Sequence, residues 1–300
     1  MAMMYHNPVL LTASVDGLDI KENGVYVDVT FGGGGHSKAI LNRLGDGGRL
    51  FAFDQDEDAL ENSLDDERFT LINENYRYIK QFLKFYGIRK VDGILADFGV
   101  SSHQFDKAER GFSTRFDADL DMRMSQRNKF SAYSVVNNYS YDDLRRVLFE
   151  YGELRNANAM AKAIEEARMI APIKTTAQLK EVLGRFLPSA KAHKILAQVY
   201  QAIRIEVNQE IVSIKEFLLQ TAELLDPGSR LVVISYHSLE DRLVKRFIRA
   251  GQFEGEPEKD LYGNSSVPFK KVGPLIVPTK KEIAENNRAR SAKLRIAERI

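Results

Sequence analysis

The chain has 300 residues, is 44% hydrophobic and 28% charged, and carries a formal net charge of +1. A chain of that length buries one large core or a main domain with a smaller one, and no apolar run reaches the length of a membrane span. With no cysteine there is neither a disulfide framework nor a thiolate metal site, and the five histidines (His6, His36, His103, His193, His237) are scattered rather than spaced as ligands, so no metal is expected.

The N-terminal Met1-Ala2-Met3-Met4-Tyr5-His6 lacks the basic-then-apolar layout of a signal peptide, and a cytoplasmic protein is expected. The near-zero net charge hides a local excess. From Lys280 to Ile300, seven basic residues (Lys280, Lys281, Arg288, Arg290, Lys293, Arg295, Arg299) face three acidic ones (Glu282, Glu285, Glu298), a balance of +4. This is either a phosphate-contacting tail or a solvated surface face.

Taken in order, the first hundred residues alternate short β-rich runs with segments of helical period, the pattern of parallel βαβ units. Strands are predicted at Val25–Val29, Arg49–Phe53, Phe69–Ile72 and Asp92–Ala96. Helices are predicted from about Ser37 to Leu44, from Asp56 to Leu64, and where Ile79, Phe82, Leu83 and Tyr86 recur. From about Asp106 to Val207 the strands stop. Helical stretches replace them at Tyr141–Tyr151, Asn158–Met169, Ala177–Phe186 and His193–Ile203, as in a helical insertion. An amphipathic helix from about Gln209 to Leu225, stopped by Asp226-Pro227-Gly228, leads to the strand Leu231–Ser235 and a helix Ser238–Arg249. Gly251–Ser266 reads as a loose loop. Phe269–Val277 and Ser291–Ala297 are extended, the second alternating apolar and basic as an edge-region strand does.

The chemistry concentrates after these strands. Asp28-Val29-Thr30-Phe31-Gly32-Gly33-Gly34-Gly35-His36-Ser37 joins the first strand to the first helix, where glycines permit a tight turn and close approach of a ligand to backbone N–H groups. A dinucleotide fingerprint fails, because Ser37 or Lys38 stands where its last glycine belongs, and no Gly-Lys-Ser/Thr follows for a Walker loop. Asp54 ends the second strand where a nucleoside ribose needs an acceptor; the alternative is a cap on the helix from Asp56. Asp97 ends the fourth strand, at the crevice where ligands of open α/β sheets bind. Tyr76 has the right place to stack on an adenine, or simply packs. His237 and Ser238 follow the fifth strand; without a Gly-x-Ser-x-Gly elbow a hydrolase is disfavoured, and Ser238 with Asp241 reads as a helix cap.

These residues fall within a longer pattern. It comprises His6-Asn7-Pro8-Val9-Leu10-Leu11, Gly34-Gly35-His36-Ser37, Asp97-Phe98-Gly99-Val100-Ser101-Ser102, Arg110-Gly111-Phe112-Ser113 and Leu120-Asp121-Met122-Arg123-Met124. It continues through Gln201-Ala202-Ile203-Arg204-Ile205 with Val207-Asn208, Ser235-Tyr236-His237-Ser238-Leu239-Glu240-Asp241-Arg242 and Arg288-Ala289-Arg290-Ser291-Ala292-Lys293-Leu294-Arg295. Over nearly its whole length the chain resembles the ribosomal RNA small subunit methyltransferase H family, which methylates N4 of a cytidine in the decoding region of 16S rRNA. The resemblance implies an α/β, class I (Rossmann-like) S-adenosylmethionine-dependent methyltransferase fold, with residues 1–105 and 208–300 as the methyltransferase domain and 106–207 as an inserted all-helical, RNA-substrate domain. It implies cofactor contacts from Gly34, Gly35, His36, Asp54, Tyr76, Asp97 and Gln104. The implied partner is small-subunit ribosomal RNA, free or in the assembled subunit; whether the chain forms a homodimer stays open. Asp119 stands where the family usually has proline, Leu154 where it has a second acid, and Asn287 where it has proline.

For methyl transfer to a cytosine amine, Asp97 or a nearby carbonyl is the first candidate proton acceptor and His237 the second. Arg204, Arg288 and Arg290 are candidate RNA contacts, with structural ion pairs as the alternative for each. The competing readings are a methyltransferase of the same fold with another substrate, a nicotinamide oxidoreductase, and a non-catalytic RNA-binding protein.

Overall fold

Seven strands form one sheet: β1 (Val25–Asp28), β2 (Arg49–Phe53), β3 (Phe69–Ile72), β4 (Val91–Asp97), β5 (Leu225–Ser235), β6 (Phe269–Ile276) and β7 (Lys293–Arg299). Their order is β3-β2-β1-β4-β5-β7-β6. β1 to β5 pair in parallel, and β7 runs antiparallel to both β5 and β6. This computed structural model describes residues 8–255 and 267–300. His6, Asn7 and the part of the expected Gly251–Ser266 loop beyond residue 255 lie outside the described residues.

The helices are α1 (Leu11–Gly17), α2 (Gly35–Leu41), α3 (Ile79–Phe85), α4 (Ser102–Asp106), α5 (Ala132–Asn138), α6 (Tyr141–Glu150), α7 (Ala157–Ile170), α8 (Thr176–Val182), α9 (Ala192–Asn208), α10 (Glu210–Leu224), α11 (Ser238–Ala250) and α12 (Lys280–Glu285). None in the described residues is long and apolar enough to cross a membrane. The segment expected to be helical after Asp56 is a 3-10 stretch, Glu57–Asn62.

Two units result, residues 1–99 with 211–300, and residues 100–210. In the first, the pleat sends alternate residues to opposite faces, and both faces are covered, which is why its strands are near-continuous apolar runs. Val27, Phe51, Phe53, Ile94 and Val233 pack on one face with Ile79 and Leu83 of α3, Phe217 and Leu218 of α10, and Phe247 of α11. Tyr26, Leu50, Leu95, Val232 and Ile234 pack on the other with Val15 of α1 and Ile40 and Leu41 of α2. Helices on both faces of a mostly parallel sheet make this a doubly wound, Rossmann-like architecture. The chain steps outward from β1 to β3 and then returns to place β4 on the other side of β1, so a crevice opens at the carboxyl ends of β1 and β4.

Two local expectations need correction. Asp226-Pro227-Gly228 does not separate helix from strand: β5 already begins at Leu225, and Asp92 alone stands opposite residues 226–229, a bulge in which Asp226, Pro227 and Gly228 are exposed and Ser229 is buried. Lys293–Arg299 is not at the sheet edge but one place in, with β6 outside it; its basic residues lie beside acids, as where Arg295 meets Asp241.

The second unit has its own core, in which Leu144, Val147 and Leu148 of α6, Met160 and Ile164 of α7, and Val199 and Ile203 of α9 are buried together. The only strand-like pairing among its described residues is the bridge between Asp119 and Thr175. Val100 and Phe105 pack against this core, which is why the unit starts as early as residue 100. Leu154 is buried in the same core, accounting for an apolar residue at that position.

Candidate active site

The glycine segment begins where β1 ends. Asp28 is completely buried, and its carboxylate ties down both ends of the segment: Oδ2 accepts from Ser37 Oγ at 2.7 Å and Oδ1 from Thr30 N at 3.1 Å. Burial pushes the Asp28 carboxyl above the usual carboxylate range. Gly34 is the N-cap of α2 with φ of 75°, a left-handed conformation that suits glycine. Gly35 opens the helix beneath Pro8, whose Cγ would lie 2.1 Å from a Cβ at that position.

Asp54 follows β2 and grips the same loop. Its Oδ2 accepts from Gly32 N at 2.8 Å and its Oδ1 from Asp56 N at 2.9 Å. Asp56, not Asp54, caps the 3-10 stretch that follows. Each Asp54 oxygen holds one N–H and retains a second lone pair, so the carboxylate can still accept from two hydroxyl groups. Burial raises its pKa to about 6 despite these hydrogen bonds.

Asp97 ends β4 beside β1 and β5. Its backbone N donates to Thr30 Oγ1 at 2.6 Å, tying it to the glycine segment. Tyr236, just past β5, donates its hydroxyl to Asp97 Oδ1 at 2.8 Å. His36 Nδ1 lies 3.9 Å from Oδ2, and His36 Nε2 is 3.1 Å from the carbonyl of Val9. Burial raises the Asp97 pKa to about 6; His36 and the Tyr236 hydrogen bond oppose that rise, while Asp28 and Glu240 add to it. The Tyr236 hydroxyl is held well above its ordinary value, by burial first and by Asp97 next.

Tyr76 is half-buried at the start of a 3-10 turn whose cap is Asn75. Its ring packs 5.8 Å from Phe98 and 5.4 Å from Phe217, so Tyr76 leans on the residue that follows Asp97. His237 rather than Ser238 is the N-cap of α11. Its Nδ1 accepts from Glu240 N at 3.4 Å, and Glu240 Oε2 accepts from Tyr236 N at 2.8 Å and His237 N at 3.2 Å. The expected Ser238–Asp241 pair is displaced by one residue because Asp241 is engaged by Arg295 at 2.7 Å and Lys293 at 3.3 Å.

In the second unit Gln104 is buried, and its side-chain oxygen accepts from Ser101 N at 3.1 Å in a capping box for α4. Arg204 makes a two-pronged pair with Glu210, at 2.8 and 3.0 Å, the structural ion-pair alternative for this residue. In the tail, Arg288 is half-buried and Arg290 is exposed. The first unit thus gathers Gly34, Gly35, His36, Asp54, Tyr76, Asp97 and His237 at its carboxyl-edge loops. Sequence reasoning did not single out Asp28 or Tyr236; their shared signal is a polar side chain at the carboxyl end of a strand that neighbours β4.

Comparison with known proteins agrees over the full chain. The family model described as the MraW methylase family matches residues 3–300. A Flavobacterium johnsoniae protein named ribosomal RNA small subunit methyltransferase H is 71% identical over 298 residues, covering 99% of each chain. A protein of the same name from Cytophaga hutchinsonii is 55% identical over 298 residues, covering 99% of this chain and 100% of its own. Among solved structures, an rRNA methylase from Streptococcus thermophilus aligns with a TM-score of 0.44 at 12% identity, covering 100% of this chain and 99% of that one.

Proposed function

The chain belongs to the MraW methylase family, and from that premise we propose that it methylates the exocyclic N4 of a cytidine in the decoding region of 16S rRNA. At the coarser level it is an S-adenosylmethionine-dependent methyltransferase of small-subunit ribosomal RNA. The observation that carries the finer reading is Asp97, a carboxylate at the switch-point crevice whose one oxygen is held by Tyr236 and whose proton affinity burial has raised.

The donor set fits the cofactor. Asp54, with lone pairs to spare, suits two ribose hydroxyls, and the segment Gly34-Gly35-His36 supplies a turn without side chains at its two glycines. Tyr76 offers an aromatic face for a purine. Gln104 joins this group on the family resemblance. When bound, S-adenosylmethionine supplies an electrophilic methyl group on a sulfonium.

A cytosine amine is a weak nucleophile because its lone pair is delocalised into the ring. Asp97 would accept a hydrogen bond from that amine and take the proton that the nitrogen sheds on gaining the methyl group that the cofactor would supply. A base titrating near pH 6 suits this task better than an ordinary aspartate, since it binds the proton more firmly yet is mostly ionised at neutral pH. His237 is the second candidate, and its work as the α11 cap makes it the lesser one. Holding the acceptor in line supplies most of the remaining rate. The target base must leave its stack to reach such a crevice, so an unpaired or splayed cytidine is the expected substrate. The helical unit and the exposed Arg290, with Arg288 beside it, are proposed RNA contacts; at Arg204 a phosphate would have to compete with Glu210.

Calorimetric titration tests the site. S-adenosylhomocysteine is expected to bind and NAD not to bind, and Asp97→Asn is expected to lose turnover at saturating S-adenosylmethionine. NAD binding would restore the oxidoreductase reading, and full turnover by Asp97→Asn would remove Asp97 as proton acceptor.

A further inference from the structure

Resting on that reading of the site, we propose that Tyr236 is a positioning residue: its hydroxyl occupies Asp97 Oδ1 and so fixes the carboxyl rotamer that presents Oδ2 to the acceptor amine. The sheet register builds this contact. Asp97 pairs with Ile234, and Phe98 N donates to the Ile234 carbonyl at 3.0 Å. Tyr236 lies two residues beyond Ile234 and therefore projects to the same face as Asp97.

Tyr236 is itself held at both ends. Its N–H donates to Glu240 Oε2 at 2.8 Å, and Glu240 is fully buried in the first turn of α11. Its ring lies against Gly99, where a Cβ would stand 3.5 Å from Cδ2 and where φ is +103°. A phenol fixed in this way leaves the carboxyl it touches little freedom to rotate.

Because Tyr236 occupies Oδ1, Oδ2 is the oxygen left to work, and it lies on the His36 side of Asp97. A carbonyl only accepts, so the contact of His36 Nε2 with Val9 O places a proton on Nε2, and Nδ1 is the ring atom turned towards Oδ2, 3.9 Å away. The titratable groups that face Asp97 are His36 from α2, Tyr236 after β5, Asp28 from β1 and Glu240 from α11. Among the described residues, only Tyr236 donates to it through a side chain.

The test is Tyr236→Phe, which keeps the ring and removes the donor. The expected result is kcat lowered about tenfold or more, with KM for S-adenosylmethionine within about twofold of the unmodified protein. The acid limb of the kcat–pH profile moves to higher pH, because a hydrogen bond that favours the charged carboxylate has gone. Unchanged kcat and an unchanged acid limb overturn the proposal, since a purely structural ring would give that result. If Tyr236→Phe melts too low to assay, 3-fluorotyrosine at position 236 decides: a stronger donor moves the acid limb to lower pH, and an unmoved limb overturns the proposal. Asp97→Asn run in parallel separates the two levels. Full activity there sinks the reading of the site, whereas an inactive Asp97→Asn beside an unaltered Tyr236→Phe sinks only the role of Tyr236.

Discussion

Asp97 keeps a carboxyl that is costly to ionise in a place where an amide would fit. Its raised pKa, about 6 against an ordinary 3.8, means that the folded protein binds this proton more tightly than the unfolded chain does. The resulting stabilisation is fully present below about pH 4 and is lost as pH rises through about 6. Asp97→Asn escapes that loss: its amide oxygen accepts from the Tyr236 hydroxyl, and its NH2 faces His36 Nδ1. The variant without ligand is expected to be more stable than the unmodified protein at pH 8 by up to about 3 kcal/mol, with the gap closing towards pH 4, while its kcat falls about a hundredfold or more. Thermal melts across pH together with initial rates check both halves. His237 calls for a different comparison, because a side chain that caps a helix and one that accepts a proton respond differently to asparagine. As a cap, His237→Ala is expected to lose about 1 kcal/mol in denaturant titrations and His237→Asn a few tenths. Turnover kept by His237→Asn and lost by Asp97→Asn assigns the proton to Asp97.

At the scale of elements, the junction between β1 and α2 is the most constrained. Asp28, Asp54 and the N–H of Asp97 all hold the segment from Thr30 to Ser37, so a change there is felt at three strands. Gly35→Ala would put a methyl 2.1 Å from Pro8 Cγ and force the loop or the N-terminal segment to move. The expected outcome is an S-adenosylhomocysteine affinity at least about tenfold weaker and a stability loss of about 1–3 kcal/mol, as for other overpacked sites; an unchanged Kd in calorimetry contradicts it. Most of these elements were legible in the sequence, and for a physical reason. A parallel strand covered on both faces must be an apolar run, and Val25 to Asp28 or Arg49 to Phe53 can hardly be read otherwise. The misses arise where local pattern and tertiary context disagree. Histidine is not among the usual N-caps, so Ser238 read as the cap although Glu240 selects His237. Asp226-Pro227-Gly228 has the composition of a turn, yet pairing with β4 on either side of it, at Leu225 and Arg230, makes it a bulge within the strand. Tyr236 was invisible because its role is a contact with a side chain 139 residues away, which no local spacing reports.

At the scale of the whole molecule, the chain is two units with separate cores. Residues 100–210 are continuous in sequence and enclose an apolar cluster running from Phe112 to Val207. Made alone, this segment is expected to give a helical circular dichroism spectrum and a cooperative melt, because its core is built within it; a broad, non-cooperative melt contradicts that. The α/β unit carries the glycine loop and the carboxylates Asp28, Asp54 and Asp97, and the helical unit has a core of its own. The central claim concerns the substrate. Purified protein incubated with radiolabelled S-adenosylmethionine and small ribosomal subunits lacking the modification, or free small-subunit RNA, is followed by nucleoside mass spectrometry of the labelled RNA. The account predicts label in N4-methylcytidine at one decoding-region position; label on another nucleoside, or none despite cofactor binding, contradicts it.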